Sequence, residues 1–116
     1  MRRIDALKAA AVGPQRFREW AETLSGGDPD ELDSAERERE FAEIYEMHDA
    51  MLREAGAFDG GGAVLALTRL LGERPALAAT IAERFPHLIV DELEDACPAE
   101  RALIARLAER SRTLVL

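Results

Sequence analysis

The sequence is poor in several residue types, and each shortage excludes a class of site. It has a single cysteine, Cys97, and a single lysine, Lys8, in 116 residues. One cysteine excludes an internal disulfide and any cysteine-based zinc cluster. No apolar stretch approaches the roughly 18 residues of a membrane span, and residues 1–5 lack the apolar region of a secretion signal. The sequence therefore predicts a cytoplasmic chain that does not contact a membrane.

Positive charge is also scarce where a nucleic acid would need it. The net charge of −8 lies in residues 28–55, where eleven acids face three arginines, and the rest of the chain is balanced. No basic stripe follows the sequence, so we expect this chain alone to bind DNA weakly or not at all. The simplest interpretation of the acidic segment is the solvated face of a helix.

Helical periodicity dominates the first 85 residues. A short first helix is predicted to end at Gly13, and Pro14 suits the start of a second. A long acidic helix is predicted from about 30 to 55. Gly60-Gly61-Gly62 predicts a loop or hinge, because three glycines order poorly, and two further helices follow. The side chains predicted to face inward are Phe17, Trp20, Ala21, Leu24, Phe41, Ile44, Tyr45, His48, Leu52, Val64, Leu67, Leu71, Leu77, Ala78, Ile81 and Phe85.

The C-terminal third changes character. Leu88–Val90 is short and apolar, which predicts a buried strand. Pro98 marks the start of another helix with Cys97 as its N-cap, and Thr113–Leu116 predicts a second strand. A strand, a helix and a strand in this order favour a parallel pair. We therefore predict an α/β chain, about two thirds helix, with one or two short parallel strands near the C-terminus. Two strands leave exposed edges, which favour self-association.

Four acids follow the first predicted strand directly, in Asp91-Glu92-Leu93-Glu94-Asp95. Carboxylates at the carboxyl end of a parallel strand can hold Mg²⁺ beside a nucleotide phosphate and orient a water. The plainer alternative is a solvated acidic turn. A phosphate-binding loop needs Gly-x-x-x-x-Gly-Lys-Ser/Thr, and Lys8 has no such context. The 116 residues therefore cannot form a complete ATP site by themselves.

The remaining candidates are weaker. His48 and His87 are interpreted as structural histidines, because no set of His, Cys, Asp or Glu outside the acidic turn has metal-ligand spacing. Cys97 has no recognisable base partner, so we interpret it as a small buried side chain. Trp20 and Tyr45 have core spacing and need no ligand.

The residues Val90-Asp91-Glu92-Leu93-Glu94-Asp95-Ala96-Cys97-Pro98-Ala99-Glu100 resemble motif II of the UvrD/Rep-type superfamily 1 DNA helicases, approximately V-D-E-F-Q-D-T-N-P-A-Q. Upstream, Ala55-Gly56-Ala57-Phe58-Asp59 is similar to the family's A-G-x-x-D-F-D-D-L. The order of elements agrees from about residue 41 to the end. The first 40 residues fit the family's helical insertion only loosely.

The resemblance implies an ATP-driven motor that translocates on single-stranded DNA and unwinds duplex DNA in repair or recombination. It implies that Asp91 associates with Mg²⁺, that Glu92 is the catalytic base for ATP hydrolysis, and that Glu94 and Asp95 lie at the nucleotide. Residues 1–56 would be the helical insertion and residues 57–116 part of an incomplete P-loop motor domain. ATP and Mg²⁺ would be cofactors of the intact parent, with neither bound by these residues alone.

Three departures from the family pattern bear on these roles. Glu94 replaces glutamine and adds a negative charge near a phosphate, Gly60-Gly61-Gly62 replaces F-D-D, and Ala96-Cys97 replaces Thr-Asn at a helix cap. The first hypothesis is therefore a fragment of an ATP-dependent DNA helicase that is inactive alone. The alternative is a non-catalytic helical module that binds a protein partner. A third reading is a stand-alone Mg²⁺-binding protein.

Overall fold

The computed structural model describes residues 1–116 and is 71% helical. Six helices and two strands follow one another along the chain: α1 Arg2–Ala9, α2 Pro14–Thr23, α3 Pro29–Glu54, α4 Gly60–Glu73, α5 Pro75–Arg84, β1 His87–Ile89, α6 Pro98–Ala108 and β2 Thr113–Val115. The prediction of a mostly helical chain with two short parallel strands near its C-terminus is confirmed. No helix is both long and apolar enough to cross a bilayer.

An aromatic core holds α1, α2 and α3 together; we call residues 1–57 the helical half. Its centre is Phe17 and Tyr45, packed with Ile4, Ala21 and Ala42. The Phe17 and Tyr45 rings lie 6.4 Å apart in an edge-to-face arrangement, which aromatic pairs favour. The Tyr45 side chain is fully buried and its hydroxyl donates to the Val12 carbonyl at 3.0 Å, so its polar end is satisfied.

The long helix α3 begins and ends where its local sequence dictates. Asp28 is the N-cap and accepts a hydrogen bond from the Glu31 N–H at 2.9 Å, while Pro29 occupies the first helical position. Both choices suit a helix start. Past the end of the helix, Gly56 adopts φ +62°, a conformation that glycine takes at little cost.

The predicted loop at Gly60-Gly61-Gly62 is wrong, because these glycines form the first turn of α4. Asp59 caps the turn and its Oδ1 accepts from the Gly62 N–H at 2.6 Å. A Cβ on Gly61 would lie 2.7 Å from the Cβ of Lys8, far inside contact distance. The glycines therefore allow α4 to approach Lys8 of α1, and packing offsets their poor helix propensity.

The first helix is shorter than predicted. It ends at Ala9 instead of reaching Gly13, and Ala11 adopts φ +61°. The carbonyl of Leu7 accepts from the Val12 N–H at 2.9 Å in this turn. The apolar spacing alone did not reveal that break, because alanine is a good helix former.

Four side chains predicted to face inward are exposed: Trp20 by 47%, Ile44 by 56%, Leu67 by 37% and Phe85 by 61%. Along α3 the buried residues are Ala35, Ala42 and Tyr45. Ile44 precedes Tyr45 and is rotated about 100° from it around the helix axis. The predicted stripe was therefore wider than the face that α3 actually buries.

The two strands pair in parallel, with Leu88 opposite Leu114. They form the whole sheet, so each keeps one unpaired edge. The strand predicted at Leu88–Val90 is present, shifted by one residue to His87–Ile89, but the prediction that it is buried is wrong, because Ile89 is 74% exposed. A run of apolar residues does not specify burial when no further layer covers the sheet.

We call residues 58–116 the strand half. Its main packing is α4 against α6, and its buried side chains are few and mostly small: Leu71, Ala78 and Ala99. A groove of about 200 Å³ remains between α5, β1 and α6, lined by apolar side chains that include Ile81, Leu88 and Leu107. The strand half is therefore ordered mainly by backbone hydrogen bonds and thin apolar contacts.

Candidate functional site

The acidic loop, residues 91–95, connects β1 to α6. The strand pairing continues one residue past β1, since the Val90 N–H donates to the Val115 carbonyl at 2.9 Å. Asp91 follows in a bend, and Leu93–Asp95 form one turn of 3-10 helix. The four predicted site residues, Asp91, Glu92, Glu94 and Asp95, thus lie together at the carboxyl end of a parallel strand.

Glu92 adopts a left-handed conformation, with φ 53° and ψ 41°. For a residue with a Cβ this conformation costs about 1–2 kcal/mol. One compensation is local, because Asp91 Oδ1 accepts from the Glu92 N–H at 3.0 Å. Strained backbone of this kind clusters at functional sites, and here it falls on the residue predicted to be the catalytic base.

All four acids are exposed to solvent. No group of three or more His, Cys, Asp or Glu side chains in the structure has an arrangement that holds a metal ion. Magnesium, however, usually keeps several waters and uses only one or two protein carboxylates together with substrate phosphates. The donor set of the acidic loop fits such a shared site and does not form a closed protein cage.

Arg101, which no sequence motif singled out, holds the acidic loop in place. Its Nε donates to the Ala96 carbonyl at 2.8 Å and its Nη2 to the Glu94 carbonyl at 3.0 Å. Both contacts are to main-chain oxygens, so Arg101 fixes the path of the chain from the 3-10 turn to α6. Its positive charge also lies beside Glu94, the position where the sequence carries an extra acid.

The start of α6 is capped from within. Cys97 is the N-cap, as predicted. The Glu100 side chain reaches back to this residue and accepts the Cys97 N–H at 2.8 Å. This hydrogen bond lowers the pKa of the Glu100 carboxyl below its ordinary value. The Cys97-to-Glu100 spacing matches that of a capping box, a signal that was present in the sequence.

A second polar cluster lies between α1 and α4, away from the acidic loop. Lys8 is 1% exposed, and its Nζ donates to Asp59 Oδ2 at 2.5 Å and lies 4.0 Å from Asp49 Oδ1. Burial alone would raise the pKa of the Asp59 carboxyl, but the hydrogen bonds from Lys8 and Gly62 outweigh it, so its pKa lies below the ordinary value.

Two further titratable groups border this cluster. Burial, reinforced by the negative charges of Asp49 and Asp59, raises the pKa of the Tyr45 hydroxyl well above its ordinary value. The Nδ1 atom of His48 is buried without a hydrogen-bond partner. Sequence reasoning missed the Lys8 cluster; its one visible signal was a single lysine in a chain whose other strong cations are arginines.

A family model described as the UvrD/REP helicase N-terminal domain matches residues 6–116. The match reaches further toward the N-terminus than the order of motifs, which agreed from about residue 41. Comparisons with curated proteins and with solved structures gave no match. Because the family model covers nearly the whole chain, this protein belongs to the family of UvrD/REP helicase N-terminal domains.

Proposed function

We propose that this chain supplies the Walker-B-type acids of an ATP-dependent DNA helicase motor. In this proposal Asp91 associates with Mg²⁺ and Glu92 is the base that orients and deprotonates the attacking water. Glu94 lies toward the γ-phosphate, and Asp95 is the last acid of the motif. The intact motor would act in repair or recombination by moving along single-stranded DNA.

The observation that carries the proposal is the left-handed backbone of Glu92 at the carboxyl end of β1. Loops beyond the carboxyl ends of parallel strands are where α/β folds bind nucleotides. Left-handed non-glycine backbone clusters at functional sites, which supports a role for this acidic turn. The strain at Glu92 and the Arg101 contacts to the Glu94 and Ala96 carbonyls together support a loop with a fixed geometry.

Bound Mg²⁺ would neutralise the charge that develops on the transferred phosphoryl group. Asp91 suits it, because only one of its carboxylate oxygens is used by the Glu92 N–H. Glu94, where the family has glutamine, opposes a phosphate electrostatically. The Arg101 guanidinium, held against the carbonyl of the same residue, offsets part of that repulsion.

We further propose that residues 1–56 correspond to the helical insertion of such a motor and residues 57–116 to part of its ATP-binding domain. DNA would then be a partner of the intact motor. The acidic helix α3 would contribute little to DNA binding, since it carries most of the chain's negative charge and DNA affinity comes mainly from cations on its phosphates.

These 116 residues contain no Gly-x-x-x-x-Gly-Lys-Ser/Thr segment, and a phosphate cradle of that kind is what positions the nucleotide. We therefore expect no ATP hydrolysis by this chain alone. The proposal concerns the contribution of the acidic loop to a site that other residues complete.

Manganese titration of the isotope-labelled chain tests the metal role of the acidic loop. Paramagnetic Mn²⁺ broadens the amide signals of residues near its binding site. We expect selective broadening at residues 91–95 in the low millimolar range, and we expect Asp91→Asn to remove it.

The acidic start of α3 is the matched control, because Asp28, Asp30, Glu31 and Asp33 are also four exposed acids within a few positions. Equal broadening there and in the acidic loop would mean non-specific attraction of the cation. That result, or persistence of the effect in Asp91→Asn, would count against the proposed role of Asp91.

A further inference from the structure

The two halves of the molecule are joined by very few polar side-chain interactions. Across the boundary between residues 57 and 58, the Lys8–Asp59 pair is the only side-chain hydrogen bond and the only ion pair. The second carboxylate near Lys8, Asp49, belongs to the helical half. Every other ion pair lies within one half. Among the helices, α1 is the one that packs on both α4 and α6.

The Lys8 site is shaped for a lysine in one position. The aliphatic stem of Lys8 runs against Gly61, where an added Cβ would approach its Cβ to 2.7 Å and its Cδ to 3.2 Å. At Gly62 an added Cβ would lie 2.6 Å from Asp59 Oδ1 and 3.4 Å from Lys8 Nζ. Two consecutive glycines therefore keep the space that the ion pair occupies.

The burial of Lys8 makes its charge depend on a nearby carboxylate. Lys8 is 1% exposed, while the Asp59 side chain is 23% exposed. An unpaired ammonium at that depth is strongly disfavoured. Asp59 is its hydrogen-bonded partner and Asp49 lies 4.0 Å away, so an amine that loses Asp59 must close on Asp49 or move into water. Moving into water requires α1 to separate from the first turn of α4.

We propose that the Lys8–Asp59 pair is a conformational latch that sets the orientation of the helical half relative to the strand half. Closed, it holds α1 on the first turn of α4, and α4 in turn packs on α6, which follows the acidic loop. Open, it leaves the helical half attached mainly by the packing of α1 on α4 and α6 and by residues 55–59. The latch is independent of any role of the acidic loop in ATP hydrolysis.

Distance measurements between spin labels on the two halves test the latch. Labels are introduced by Glu40→Cys on α3 and Glu83→Cys on α5, both at exposed positions without ion-pair partners. The native cysteine is removed by Cys97→Ser, which keeps a good N-cap residue. We expect one narrow distance distribution in this background.

Lys8→Met keeps the apolar stem and removes the amine. We expect it to broaden the distance distribution or add a second, displaced population, while circular dichroism shows that the helices remain. Gly61→Ala should act in the same direction because its Cβ displaces Lys8. Gly60→Ala is the matched control, since an added Cβ there meets nothing within 4 Å, and its distribution should equal that of the background.

Arg18→Met is the second control. It removes the Arg18–Glu46 ion pair, whose Nη2–Oε2 distance is 2.6 Å and which lies wholly within the helical half. It should lower stability without changing the distance between the labels. An unchanged distribution in both Lys8→Met and Gly61→Ala would overturn the latch.

Asp59→Asn covers the case in which Lys8→Met fails to fold. It keeps an oxygen that can accept the Gly62 N–H and removes only the charge. A folded Asp59→Asn protein with the altered distribution supports the latch, and one with the background distribution overturns it. If Lys8→Met and Asp59→Asn both lose the helical signal, the halves cannot move without unfolding, and the proposal is also overturned.

Discussion

The helical half and the strand half are stabilised by different means. In the helical half, α2 packs along α3 around Phe17 and Tyr45, which are 4% and 0% exposed. In the strand half, only Leu71, Ala78 and Ala99 are buried, while Phe85 and Ile89 are mostly exposed. The half that carries the acidic loop is therefore the one with the smaller core.

The residues that contribute most to stability and the candidate catalytic residues therefore lie in different halves. Large buried aromatic side chains contribute most to the free energy of folding, and here they lie away from the acidic loop. The loop is ordered by local hydrogen bonds that Arg101 donates, by the Cys97 N–H bond that Glu100 accepts at its end, and by a short strand pair. Regions with few buried apolar contacts open most readily, so we expect the strand half to lose structure first.

The largest expected effect tests this contrast in core size. Phe17→Ala should destabilise the chain by about 3–5 kcal/mol, because it leaves a cavity among Tyr45, Phe41 and Ile4. Leu71→Ala in the strand half should cost less, about 2–3 kcal/mol, since fewer neighbours surround it. The measurement is urea unfolding followed by circular dichroism at 222 nm.

Hydrogen exchange on the same two variants shows where structure is lost. Phe17→Ala should reduce amide protection in both halves, whereas Leu71→Ala should reduce it mainly in α4 and α6. The contrast between the halves would be wrong if Leu71→Ala proved the more damaging substitution.

The second effect is the pH dependence of the contact between the halves. The pKa of Asp59 lies below its ordinary value of 3.8, so the folded state favours its ionised form. This contribution to stability is complete above pH 3.8 and is lost as the pH falls through the lower folded-state pKa. Stability measured from about pH 5 downward should therefore fall less steeply in Asp59→Asn than in the wild type.

Asp33→Asn is the control for this pH experiment. It removes a carboxylate whose ion pair with Arg37 is exposed on both sides, and such pairs contribute little. Its acid profile should follow that of the wild type. A wild-type profile reproduced by Asp59→Asn would show that the buried pair does not govern acid stability.

The smallest expected effect concerns the backbone of the acidic loop. Glu92→Gly removes the steric cost of a left-handed conformation and should raise stability by up to about 1 kcal/mol. Ala11→Gly is the matched control, because Ala11 is the other non-glycine residue with positive φ. Destabilisation of Glu92→Gly alone would mean that the Glu92 side chain itself supports the fold.

Much of the local structure could be predicted from the sequence. Pro14, Pro75 and Pro98 each occupy the first turn of a helix, because proline suits a position where no N–H partner is needed. The parallel strand pair followed from the strand, helix, strand order. The position of the acids directly after β1 followed from local chain order in the same way.

Burial and close approach could not be predicted in this way. The apolar character of Leu88–Val90 suggested a covered strand, yet coverage depends on layers that the periodicity of one segment does not describe. The glycines at 60–62 suggested a loop because their propensity is poor, yet contact with Lys8 from a segment 53 residues away stabilises them as a helix. Arg101 gave no signal because its partners are main-chain carbonyls.

The sequence by itself determined where the proline-started helices begin, where the strands lie and that four carboxylates follow the first strand, because these depend on residues within a few positions of one another. Only the tertiary structure decided that the sole lysine is buried against two glycines, that Glu92 is held in a left-handed turn and that the strands remain uncovered. Those outcomes depend on contacts between distant segments, whose free energies outweigh the local preferences of the residues involved.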